Sequence, residues 1–252
     1  MRRSFRSGSK TVFCAVLALV TVFPQPASAG PPFVTDDPEP TETGHWEIYG
    51  PLIEAEGRGR EVDEAVAVEI NFGAARGLQL TLGLPLVRSH DSDGWHSGVG
   101  DIEMSAKYRF FYDESAGLQI AAFPGLTVPT ATHGMGAGRV TALLPVWVQK
   151  DMGAWSIFGG AGLALNPGGG NRNFWTGGIA VSRRMNDRDL IGLEVDRTGA
   201  SETDGHGSTS FGFGIVHQLN APFRLLASGG PVLEDKTGRT GYHVFMALGL
   251  DY

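Results

Sequence analysis

The stretch Tyr242–Tyr252 alternates without a break. Tyr242, Val244, Met246, Leu248, Leu250 and Tyr252 fall on one face of an extended strand, and His243, Phe245, Ala247, Gly249 and Asp251 on the other. A period of two excludes a helix here and requires one face of the strand to meet an apolar medium.

The same pattern recurs, and twelve alternating segments are read from His45 onward. The second sets Val66, Val68, Ile70 and Phe72 against Ala65, Ala67, Glu69 and Asn71, and the third sets Leu78, Leu80, Leu82 and Leu84 against Gln79, Thr81, Gly83 and Pro85. In the fourth, Ile102, Met104, Ala106, Tyr108 and Phe110 oppose Asp101, Glu103, Ser105, Lys107 and Arg109. In a soluble sandwich the apolar face would cover a second sheet; in a membrane barrel it meets lipid. Two features favour lipid. Short turns (74–77, 113–117, 150–153, 186–188, 220–222) alternate with longer polar connections (90–97, 131–138, 166–171, 199–207, 235–239), the compact 56–60 excepted. Short periplasmic turns and longer outer loops are the rule for outer-membrane barrels. With both termini periplasmic, Trp46, Phe72, Phe110, Tyr112, Trp155, Phe223 and Tyr252 fall near one boundary and Trp175, Phe211 and Tyr242 near the other, as aromatic girdles do. Many of the 37 glycines lie inside strands, where a closed barrel uses them at sharp bends or in a crowded lumen. The expected fold is therefore all-β: a transmembrane antiparallel up-and-down β-barrel of about 12 strands over residues 45–252, with ten or fourteen strands as alternatives. Its C-terminal strand, ending on Tyr252, is the expected contact for the barrel-assembly machinery, and outer-membrane lipid the expected surroundings.

The N-terminus fits export. Arg2, Arg3, Arg6 and Lys10 precede the apolar run 11–23, and Ala27-Ser-Ala29 offers a cleavage point before Gly30. The run is too short for a spanning helix, which needs about 20 residues. A cleaved signal peptide, residues 1–29, is expected; it contains Cys14, the only cysteine. The remainder then has no thiol chemistry. Removing that segment takes four basic residues and no acidic ones, leaving 16 against 27, a net charge of −11. Such a surface argues against a nucleic-acid partner. Residues 30–44 carry four prolines and four acids, so they form neither helix nor central strand. They read as an extended periplasmic lead-in, the favoured form, or as a partial plug folded into the lumen.

Candidate sites are few. Gly134–Gly138 lacks the Lys-Ser/Thr of a phosphate loop. His206 and Ser208 have the His-x-Ser spacing of outer-membrane lipid hydrolases, but Thr209 stands where those enzymes carry Asn. His90, His96, His133 and His206 fall in outer loops beside Asp91, Asp93 and Asp204, with spacing that matches no closed metal site. No catalytic residue, metal site or cofactor is assigned. The expected lumen lining is Glu69, Asp101, Glu103, Lys107, Arg109, Glu194 and Asp196, joined by Glu47, Arg184 and Arg224. Lys107 and Arg109 alternate with Asp101 and Glu103 on one strand, so part of this set is expected to be structural. Cross-lumen pairing and the lining of a wet path are equally open, and the mixture names no solute.

Residues 31–49, Pro-Pro-Phe-Val-Thr-Asp-Asp-Pro-Glu-Pro-Thr-Glu-Thr-Gly-His-Trp-Glu-Ile-Tyr, resemble the mature N-terminus of the outer-membrane family named for the MetA pathway of phenol degradation. The resemblance implies a barrel for passive passage of small, hydrophobic or aromatic compounds, with no chemistry performed, and brings no defined site. The alternatives are a structural or adhesion barrel with a filled lumen, and a lipid hydrolase.

Overall fold

The computed structural model describes residues 32–59, 61–92 and 94–252, with the backbone alone for Asp91. The expected signal peptide, 1–29, lies outside the described residues. Among these residues there is no helix; the chain is strand and turn.

The strands are β1 (Trp46–Arg58), β2 (Glu61–Ala75), β3 (Leu78–Asp91), β4 (Gly94–Val99), β5 (Ile102–Asp113), β6 (Leu118–Ala122), β7 (Gly125–Val128), β8 (Thr141–Met152), β9 (Trp155–Leu165), β10 (Phe174–Arg184), β11 (Asp189–Thr198), β12 (Ser208–Gln218), β13 (Phe223–Glu234) and β14 (Thr240–Asp251). Fourteen segments make twelve barrel strands. β4 and β5 pair with successive parts of β3 and are one strand broken at Gly100–Asp101. β6 and β7 both bridge β5 to β8 and are one strand broken at Phe123–Pro124. Pro124 has no N–H to give the ladder, so the break falls there, and its carbonyl still accepts from Ala106 N at 3.0 Å. All pairings are antiparallel, and β1 with β14 closes the cylinder; Trp46 and Tyr252 exchange backbone bonds of 2.7 and 2.8 Å at its seam.

Strands of 10 residues or more are long enough, tilted, to cross a hydrocarbon core that takes about 9–11 residues. Their outward positions are the apolar ones of the sequence pattern: Leu193 is 63% exposed, Leu86 59% and Ile179 56%. A belt of this extent suits lipid rather than water. Trp46, Tyr112, Trp155, Phe223 and Tyr252 ring the end that carries the short turns, while Trp175 and Tyr242 stand toward the long-loop end.

Two elements depart from the sequence expectation. Residues 90–97, read as an outer loop, are the tip of a hairpin in which β3 and β4 pair up to Asp91 and Gly94. His90 lies opposite Trp95, their rings 4.8 Å apart, and the Arg88 guanidinium sits 3.7 Å from the Trp95 ring; these cross-strand contacts extend the ladder beyond the apolar segment. In β1 the register slips between Tyr49 and Leu52 against both neighbours. Gly50 and Pro51 form the bulge, and both Tyr49 and Leu52 turn inward, where they pack with Leu226 and Ala247.

Candidate functional site

Residues 32–41 run inside the barrel, and the lumen wall is built to hold them. Glu194 on β11 accepts from the backbone N–H groups of Val34 (3.1 Å) and Thr35 (3.0 Å). Ser228 on β13 donates to the Pro32 carbonyl. Across the lumen, Gln79 on β3 accepts from both Thr41 N (2.8 Å) and Thr41 Oγ1 (3.0 Å), and Asn71 in turn accepts from Gln79 and donates to Glu69. Lys107 on β5 places its ammonium 2.9 Å from Asp36 and 3.9 Å from Asp37, and donates to the Glu39 carbonyl. Lys107 is 4% exposed and Asp37 wholly buried, so the pair is shielded from water.

Phe33 packs edge-on against Phe158, ring centroids 5.8 Å apart, beside Ala180. Glycine makes this seat: a Cβ on Gly192 or Gly214 would come within 2.6 or 2.7 Å of the Phe33 ring. Here the glycines that break the strand pattern have a use, since β11 and β12 lack side chains where the segment lies against them. The prolines at 32, 38 and 40 restrict the backbone of the segment, lowering the entropy lost when it docks.

Burial drives the Glu39 carboxyl from its usual value up to about 7, against the opposing pull of Arg109, and raises Asp37 as well. Both carboxyls belong to the docked segment.

The segment leaves part of the lumen free. A cavity of about 1480 Å³ is lined by Glu56, Asp63 and Met135 toward the long loops and by Arg188, Gln218 and Tyr252 toward the short turns. Its side walls carry Glu69, Glu54 and Phe245.

The residues expected to line the lumen are distributed as follows. Glu69, Lys107, Glu47, Arg184 and Arg224 border the cavity. Asp101 lies at the break between β4 and β5 and accepts from Ala131 N (3.0 Å) and Ala137 N (2.8 Å), fixing the 129–140 loop. Glu103 is exposed beside Gly83 on β3. Arg109 donates to Gln119 at 2.6 Å. Glu194 holds the segment, and Asp196 is buried opposite Ser210. Arg224 is clamped by the Tyr49 hydroxyl, Glu47 at 3.5 Å and Asp251 at 3.3 Å. Thus Lys107 and Arg109 find partners off their own strand. The alternation of charges along 101–109 carried no trace of Asp36 and Asp37, which lie some seventy residues away; the one available signal was a Pro-rich segment with paired acids before a barrel holding few interior cations.

Among the described residues, no hydrogen bond joins His206 to Ser208, and no three His, Cys, Asp or Glu side chains converge on a metal-ligand geometry.

No family model matches the chain, and no curated protein matches it significantly in sequence. Solved structures do. The chain is similar to the COG4313 outer membrane channel from Pseudomonas putida F1, with a TM-score of 0.67 at 18% identity over 86% of this chain and 98% of that one. It is also similar to the KdgM porin (TM-score 0.56, 12% identity, 82% and 98% covered) and the NanC porin (0.55, 7%, 80% and 98%). The fold is that of outer-membrane β-barrels.

Proposed function

We propose that this chain is an outer-membrane channel through which small solutes pass passively, with residues 32–44 narrowing it from within. The observation that carries the reading is the cavity, lined at once by residues of both barrel ends and running beside the docked segment. In this reading the apolar belt meets lipid, the short-turn end and both termini face the periplasm, and residues 1–29 are removed as a signal peptide. The folds it is similar to include a channel and two porins, which agrees with this role.

Hydrophobic or aromatic compounds are the finer reading. It is supported by the resemblance of residues 31–49 to the phenol-degradation family, and by the partly exposed Phe123 and Phe245 on the cavity wall, whose rings offer an aromatic solute a surface. The test is flux through proteoliposomes of the refolded barrel, comparing a small sugar with a phenolic compound against protein-free vesicles. Protein-dependent phenolic flux without sugar flux supports a selective path; sugar flux means a general wet pore. The docked segment favours a second reading, a structural barrel with a filled lumen. A barrel silent in planar bilayers and inert in the flux assay would decide for that one.

A further inference from the structure

Fixed charge along the cavity is lopsided. Among the described residues lining it, twelve are Asp or Glu and five are Lys or Arg. The cations are occupied or peripheral. Lys107 is spent on Asp36, and Arg224 lies among Tyr49, Glu47 and Asp251. Arg88 stacks on Trp95 at the long-loop mouth with Glu64 at 3.8 Å, and Arg184 and Arg188 stand at the short-turn mouth.

The carboxylates, by contrast, form a track up one wall. Asp251 and Glu47 are paired neighbours on β14 and β1 at the short-turn end; Glu69 on β2 lies opposite Tyr49, one step along. Glu54 follows on β1, then Glu56 directly opposite Asp63 near the long-loop end. Like charges placed opposite each other cost a sheet stability; Arg58 on β1 offsets part of that cost by donating to Glu56, and Asp63 has no such partner among the described residues. Glu54 and Asp63 are water-accessible within the barrel and, among the described residues, make no hydrogen bond or ion pair. The docked segment is held by Glu194, Ser228, Gln79 and Lys107; of these only Gln79 reaches the track, through Asn71 to Glu69, and all six carboxylates of the track line the free volume.

We infer that the channel is cation-selective, with the preference set by the carboxylate track on β1, β2 and β14. This rests on the channel reading above. Fixed charges on the wall act on ions within a Debye length, about 8 Å, and a low-dielectric wall concentrates their field. Mobile cations are drawn in and anions repelled; solutes bearing an ammonium group are favoured over carboxylates of similar size.

The test is the zero-current potential of the refolded barrel in a planar bilayer under a KCl gradient. A preference for K⁺ over Cl⁻ of about fivefold or more is expected, since potentials of several kT are ordinary in clefts lined by one sign of charge. Paired substitution Glu54→Gln with Glu69→Gln should lower that ratio at least twofold, and Glu56→Gln with Asp63→Asn should do likewise. Glu202→Gln, in a loop away from the cavity, should leave it unchanged. Each variant is first checked for the gel-mobility shift of a folded barrel on boiling, and the two pairs are independent should one fail to fold. A conducting barrel with no preference, or with preference for Cl⁻, overturns the inference and leaves the channel reading standing. Full selectivity in both pairs overturns the assignment to the track. Absence of any current overturns the channel reading and this inference with it.

Discussion

Replacing Lys107 with methionine isolates the contact that ties the N-terminal segment to the wall. The ammonium is nearly inaccessible, 2.9 Å from Asp36 and 3.9 Å from Asp37, and Asp37 is wholly buried. Removing one partner of a buried ion pair leaves charge uncompensated and costs about 3–5 kcal/mol. The barrel ladders do not depend on this side chain, so the cost falls on docking of residues 32–41. At about 1.4 kcal/mol per tenfold change, the undocked population should rise by about a hundredfold to a few thousandfold. A chain starting at residue 30 has no cysteine, so Thr35→Cys provides a single reporter at a position 1% exposed. Its reaction with a membrane-impermeant maleimide follows the open population while reclosing outpaces labelling. Labelling should therefore accelerate about a hundredfold or more in Lys107→Met, with the gel-mobility shift of the folded barrel retained. A rate within threefold of the parent would show that Lys107 does not hold the segment and that Glu194, Gln79 and the Phe33 seat suffice.

Three further outcomes are expected. Glu39 titrates near 7 when docked against an ordinary value of 4.5, so the docked state binds more protons between these values and docking weakens as pH rises from about 4.5 to 7, opposed only in part by Arg109; maleimide labelling of Thr35→Cys, divided at each pH by the rate for a free thiol so that thiolate formation cancels, should quicken over that window, and Glu39→Gln should lessen the rise. Gly214→Val fills the seat of the Phe33 ring, where even a Cβ would lie 2.7 Å away; labelling should rise as in Lys107→Met while the barrel still folds, and an unchanged rate would mean that Phe33 is not seated there. Leu193→Arg puts a charge on the lipid face and should cost about 2–4 kcal/mol of folding stability in vesicles if near the bilayer midplane; a change within about 0.5 kcal/mol, as at an ordinary water-exposed site, would contradict the lipid-facing belt.

Strand count and facing were legible because they rest on a local period. Val66, Val68 and Ile70 announce an outward face by spacing alone, and the short turns fix which ends meet. The register slip at Gly50–Pro51 and the break at Pro124 were not separable from ordinary loop residues, since a bulge is defined by the partner strand it misaligns with. The hairpin at 90–97 is not legible in the sequence because its residues, Gly94 and Trp95 apart, are polar, and cross-strand contacts of His90, Arg88 and Trp95 stabilise it where periodicity gives no signal.

Taken alone, the sequence determined that this chain is a lipid-belted antiparallel barrel with an acidic, thiol-free body, because a two-residue period and a charge count survive any arrangement of the strands. Only the tertiary structure decided what the interior charges do. Lys107 and Glu194 are alike in pattern to Glu54 and Asp63: each is a polar residue on an inward face. Closure of β1 on β14 and entry of residues 32–41 turn the first two into anchors and leave the second two facing open volume. The reason is range: alternation is set by neighbours two residues apart, whereas pairing inside a barrel joins groups more than a hundred residues apart, through distances that no one-dimensional pattern encodes.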